Sequence, residues 1–175
     1  MKFPRPLGTL LSFLLMAGFL LGCGAYNFTG GDVGTAETFQ VNYFQNYASQ
    51  RPGSTFDPGL DRDFTLALQD LILTQTSLDL VTSGGDLLYE GEIVEYRVSP
   101  MTATAEQRAA QNRLTIAVNV RFYNKTKEEA NFEQRFSFFY DYPASAQLVS
   151  VRDEAHQEIF ERINQDIFNK SLADW

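Results

Sequence analysis

Residues 113–123 read RLTIAVNVRFY, 124–131 read NKTKEEAN and 132–142 read FEQRFSFFYDY. In the first segment the even positions are Leu114, Ile116, Val118, Val120 and Phe122, and the odd ones include Arg113, Thr115, Asn119 and Arg121. In the last segment the even positions are Phe132, Gln134, Phe136, Phe138, Tyr140 and Tyr142, and the odd ones include Glu133, Arg135 and Asp141. Alternation with a period of two marks strands with one covered and one open face. The intervening segment joins them as a hairpin in which even faces even. Arg121 then lies near Glu133 or Arg135, depending on register. Tyr123 and Phe139 interrupt the polar face with aromatics, a residue type that accompanies Arg at protein interfaces.

Outward from the hairpin, 87–98 (LLYEGEIVEYRV) is a long strand whose covered face changes parity. Tyr89 and Ile93 share one parity, whereas Val94, Tyr96 and Val98 share the other. A bulge between Gly91 and Val94 reconciles them. Upstream, 38–44 (TFQVNYF) alternates as a strand with Phe39, Val41 and Tyr43 on one side, and 46–59 is a polar loop. Asp57 and Pro58 suit an N-cap and first helical position. Leu60, Phe64, Leu68, Leu71 and Ile72 then make the apolar stripe of a helix of about 15 residues. A short strand at 78–81 and a turn at Gly84–Gly85 follow. Beyond 87–98, a loop over 99–112 contains Pro100. After the hairpin, Ser150 begins a capping-box-like start. Val151, Ala155, Ile159, Ile163 and Ile167 repeat every four residues, the pattern of a helix of about 20 residues with Phe160 and Phe168 widening its apolar face. The predicted fold is α+β: a two-layer sandwich with a mixed four- to five-stranded sheet and two helices packed on one face.

The chain has 175 residues, a formal net charge of -8, one His and one Cys. A single Cys excludes a disulfide framework and multi-Cys metal sites, and the acidic balance argues against non-specific nucleic-acid binding. Nothing in the sequence calls for a metal or a cofactor. The Cys stands at position 23, after Lys2, Arg5 and an apolar run over 7–21. That run has 15 residues, short of the roughly 20 that span a bilayer, and suits a secretory signal peptide. Leu20-Leu21-Gly22-Cys23 resembles a bacterial lipobox, with Cys23 acylated and residues 1–22 removed. The expected organisation is signal peptide 1–22, acylated Cys and Gly-rich tether 23–35, and one domain over 36–175. Without Lys2 and Arg5 the chain keeps 12 basic and 22 acidic residues, a net -10. Several acyl chains anchor stably where one is marginal.

Two sets of residues are candidates for a site. Glu90 and Glu92 share one strand face about 7 Å apart, within the carboxylate spacing of glycoside hydrolases, although a solvated sheet face explains them as well. There is no nucleophile elbow, phosphate loop or dinucleotide fingerprint, and His156 reads as a boundary or surface histidine without a partner pattern. Half of the 12 remaining basic residues lie over 108–135, at Arg108, Arg113, Arg121, Lys125, Lys127 and Arg135. They form a local basic patch suited to an anionic ligand or partner, or they neutralise Glu128, Glu129 and Glu133.

Several stretches carry a family resemblance. They are Cys23-Gly24, Tyr26 and Phe28-Thr29-Gly30; Gly85-Asp86-Leu87, Glu90-Gly91-Glu92-Ile93 and Tyr96; Asn112 to Ile116; Asn131 to Gln134 with Phe136-Ser137; and Asp166 to Lys170 through Trp175. Together they resemble the LptE family of lipopolysaccharide-assembly lipoproteins in its Bacteroidetes form. The resemblance implies an outer-membrane lipoprotein with two helices on a mixed sheet, seated as a plug in the LptD β-barrel and assisting its assembly. Lipopolysaccharide itself is then a candidate ligand. It implies no catalytic residue, and only Cys23 is carried over. Two other functions fit the residues: a free-standing outer-membrane lipoprotein binding a glycan or glycolipid, and a periplasmic hydrolase using Glu90 and Glu92.

Overall fold

The hairpin forms as the alternation predicts, and the rest of the sheet is built on it. A computed structural model describes residues 31, 33–101 and 110–173. Strands β1 (Thr38–Val41), β2 (Gln45–Asn46), β3 (Asp79–Leu80), β4 (Leu87–Met101), β5 (Gln111–Asn124) and β6 (Phe132–Pro143) make one mixed sheet with the order β3-β1-β4-β5-β6. The two-residue β2 adds to β4 beyond the end of β1. Helices α1 (Leu60–Gln75) and α2 (Leu148–Leu172) cover one face. The strand count is thus one above the expected range, because two residues of the predicted 46–59 loop and its approach pair with β4.

Register follows side-chain parity. In the hairpin Ile116 faces Phe138, Phe122 faces Phe132 and Arg121 faces Glu133. Leu114, Ile116, Val118, Val120 and Phe122 are buried without exposure. The β4–β5 register shifts between Ile93 and Glu95, so Val94 is the bulged residue. This shift returns Tyr96 to the covered face after Tyr89 and Ile93 and keeps all three in the core. Pro100 lies inside β4 rather than in a loop. The position accepts Pro because β1 and β2 reach along β4 only as far as Ile93, so the ring displaces no strand on that side.

Three local expectations are corrected. The strand over 38–44 breaks after Val41, and Phe44 rather than Tyr43 enters the core, leaving Tyr43 51% exposed. Phe44 packs edge-on against Phe64 of α1 at 5.0 Å, and Phe64 against Phe160 of α2 at 5.4 Å. Helix α1 starts after Gly59, whose φ of 92° is accessible to glycine, and Asp57 caps nothing. Helix α2 starts after Gln147 and runs 25 residues, with the Ser150 hydroxyl donating back to the Gln147 carbonyl instead of capping. Both apolar stripes otherwise face the core: Leu60, Phe64, Leu68 and Ile72 on α1, and Ala155, Ile159, Ile163 and Ile167 on α2, are fully buried, and Leu71 and Val151 are partly buried against them.

Candidate functional site

The helices leave the other sheet face open, and nearly every charged residue read from the strands stands on it. The bulge matters here as well as in the core. It places Glu95 opposite Ala117, on the same face as Glu90 and Glu92. Across the face, Gln40 donates to Asn42, Asn42 donates to Glu90 (3.1 Å), and Arg121 donates to Glu90 (3.2 Å) and Glu92 (3.0 Å). Asn119 adds a bond to Glu92 at 3.2 Å. One row further along, Glu95 accepts from both Arg97 and Arg135. At the far end Arg113 meets Asp141 through two parallel bonds of 2.7 Å, the fork geometry that guanidinium and carboxylate share. The Arg113 guanidinium also lies 3.5 Å over the Phe139 ring. Hydrogen bonds from Arg121 to Glu90 and Glu92, and from Arg113 to Asp141, push both guanidinium pKa values further up.

The predicted basic residues divide between two places. Arg113, Arg121 and Arg135 share the open face, each beside a carboxylate. Lys125 and Lys127 sit in the hairpin loop, where the Lys125 ammonium donates to the Gly84 carbonyl at 2.9 Å. Arg108 and Cys23 lie outside the described residues. Glu90 and Glu92 do share a face, but they grip one guanidinium on an open sheet. That is an ion-paired triad on an open sheet face, unlike the cleft in which a hydrolytic carboxylate pair sits. Exposed ion pairs of this kind contribute little stability singly; the network fixes where each charge stands. Among the described residues no group of three His, Cys, Asp or Glu is placed to hold a metal.

Two groups went unrecognised in the sequence. Asp86 accepts from the Glu37 and Thr38 amides (3.0 and 3.1 Å) and the Thr38 hydroxyl (2.9 Å), fastening β1 to the start of β4. These donors, the Glu37 amide first, hold its carboxyl below the usual range. At the opposite end of β4, the buried Tyr96 hydroxyl lies 3.1 Å from His156 Nε2 and 3.5 Å from Asp57 Oδ2, with Arg152 3.8 Å from Asp57. Burial pushes the His156 pKa down and that of Tyr96 up. The expected boundary histidine is therefore an interior one, 8% exposed. Only the Gly-Gly-Asp order hinted at the first group; the second joins residues 39 and 60 positions apart.

A family model described as LptE, lipopolysaccharide-assembly, matches residues 36–171. The chain belongs to the LptE family. The match spans the whole sheet, α1 and all but the last residue of α2 in this LptE-family domain. No curated protein matches. Among solved structures, the hypothetical protein CT253 from Chlamydia trachomatis superposes with a TM-score of 0.52 at 9% identity, covering 79% of this chain and 99% of that one. It shares the fold. A minor lipoprotein from Acinetobacter baumannii (TM-score 0.47, 11% identity, 77% and 91% covered) and rare lipoprotein B from Shewanella oneidensis (0.41, 10%, 75% and 89%) are more distant likenesses. The LptE-family fold, as this chain builds it, thus presents one face sealed by helices and one face tiled with paired charges.

Proposed function

We propose that this chain is an outer-membrane lipoprotein, acylated at Cys23 and held on the periplasmic side, that plugs an LptD-type β-barrel and assists its assembly for lipopolysaccharide export. The observation that carries the reading is the family match over 36–171. The charged sheet face supports it. A barrel lumen is polar, and a plug inside it has to be apolar within and hydrogen-bonding without. Arg113, Arg121 and Arg135 with their carboxylates supply such an exterior, and Lys125 and Lys127 extend it at the hairpin loop. Binding only to the folded barrel stabilises that barrel by mass action. A surface anchor at Cys23 raises the local concentration of plug near barrel.

The test is recovery of the tagged, full-length lipoprotein from solubilised outer membranes. A large β-barrel in near-equal amount is expected. Recovery of the lipoprotein alone would overturn the plug reading in favour of a free-standing glycan- or glycolipid-binding lipoprotein. In the same assay Arg121→Glu, which puts a third carboxylate beside Glu90 and Glu92, is expected to lower barrel recovery severalfold while the domain remains folded.

A further inference from the structure

Strand β6 ends the sheet, and among the described residues no strand pairs with its outer side. It runs 12 residues without a lysine, carries proline only at its last position, and keeps one register against β5 throughout. Natural sheets protect such edges with charged side chains (lysine above all), prolines, bulges or short strands; along 132–142 β6 has no lysine, proline or bulge, and its charges are Glu133, Arg135 and Asp141, of both signs.

The direction of its free backbone groups can be fixed. The Ala144 amide donates to the Ala110 carbonyl at 3.0 Å, in the same pairing phase as the β5–β6 ladder. Antiparallel ladders alternate, so even-numbered β6 residues bond to β5. Glu133, Arg135, Ser137, Phe139 and Asp141 therefore turn their N–H and C=O groups outward.

We propose that this edge pairs with the β6 edge of a second copy of the chain, antiparallel about a two-fold axis at Phe138. Outward-bonding residues must face one another, which leaves only registers that pair odd with odd. Centring on Ser137 sets Glu133 against Asp141, a like-charge clash. Centring on Phe136 sets Arg135 against Ser137, and centring on Phe139 sets Arg135 against Pro143. The Phe138 register alone sets Arg135 against Asp141, twice by symmetry. It continues the charge alternation of the open face across the seam: Arg113 pairs with Asp141 within one copy, Asp141 meets Arg135 of the second copy, and that Arg135 is held by its own Glu95. The same register lays the 40% exposed Phe139 beside Ser137 of the second copy, whose inner neighbour is the small Ala117. On the helix side, Phe136 meets Tyr140 and Phe138 meets Phe138. The Phe138 ring, stacked on Phe139 at 5.4 Å with the Arg162 guanidinium 5.6 Å over it, borders a groove that Glu158, Glu161 and Gln165 of α2 also line. The contact is isologous and closes after two copies. It concerns the chain outside any barrel and stands independently of the plug reading.

The experiment uses the full-length protein in cells. Facing Cα atoms at a narrow antiparallel pair stand about 4.5 Å apart, within disulfide reach. Phe138→Cys is expected to give a disulfide-linked dimer on non-reducing gels, and Glu133→Cys, which would face Pro143, is expected to give none. Adding Ser137→Pro, which removes an outward amide and no bond to β5, is expected to abolish the link. With the residue at 138 unchanged, the purified protein is expected to sediment as a dimer, and Ser137→Pro to weaken self-association about tenfold or more. A wild-type protein that sediments as a monomer up to its solubility limit would overturn the proposal. So would a dimer indifferent to Ser137→Pro, or an edge protected from hydrogen exchange only by an extended segment of another protein.

Discussion

Gly91 shows how one missing side chain sets a stretch of the fold. It pairs regularly with Val120, and the bulge lies three residues on at Val94. Its role is space: a β-carbon there would intrude on the Asn119 carbonyl oxygen and stand 2.8 Å from the Phe44 ring. Phe44 reaches the core only because the chain leaves β1 after Val41 and drops its ring over this glycine. Gly91→Ala is expected to lower stability by about 1–3 kcal/mol, read as a fall in the urea midpoint. His156 makes a second prediction. It faces Tyr96 and Asp57 from β4 and the loop before α1, with Arg152 and Asp153 on its own helix and Asp63 on α1. Burial keeps its folded-state pKa below the ordinary value near 6.5. The unfolded chain then binds more protons than the folded one as pH falls through that value, so stability is full above it and declines below. The melting temperature is expected to drop between about pH 7 and 5, and His156→Gln, which keeps an acceptor for Tyr96, to flatten that slope. An unchanged slope would remove His156 as its cause.

At the scale of elements, what could be read from the sequence was what repetition enforces. A strand with one covered face must alternate, so the covered and open faces of β5 and β6 were legible and their ends fell within two residues of the reading, and the parity conflict in 87–98 required a bulge. Helical stripes were equally legible, since burying Leu60, Phe64, Leu68 and Ile72 needs helical spacing. Element ends were not. Asp57 has the chemistry of a cap, but Tyr96 and Arg152, distant in sequence, take it into the interior, and Gly59 opens α1 instead. Tyr43 and Phe44 are adjacent aromatics, and only the gap over Gly91 selects between them. The charged face was legible as a face and not as pairs, because Glu95 joins Glu90 and Glu92 only through the bulge. Asp86 carries the element-scale prediction. As a carboxylate held below its usual pKa, it stabilises the β1–β4 junction above the unfolded value near 4 and loses that effect as pH falls through its folded value. Asp86→Asn is expected to speed amide exchange at Glu37 and Thr38 while leaving the β5–β6 hairpin protected. Equal acceleration throughout the sheet would contradict a local clamp.

For the whole molecule, the proposed role makes the division into a helix-sealed face and an ion-paired face a separation of stability from recognition. Core residues and the charged face share no side chain, so substitutions at Arg113 or Arg135 are expected to leave the melting temperature within a few degrees while changing association. Cys23→Ala is expected to move the protein from the membrane to the soluble fraction with its unfolding transition unchanged, measured by fractionation and circular dichroism; retention in the membrane would contradict acylation at that residue. The Asp86 clamp has a mechanical meaning. Strand β1 lies inside the sheet, parallel to both β3 and β4; Thr38 is its first residue and Glu37 immediately precedes it. A pull on an anchored N-terminus would load β1 along its own axis, in shear against two neighbours at once rather than by peeling an edge. The first hydrogen bonds it would strain between this strand and the start of β4 are those of the Asp86 carboxylate.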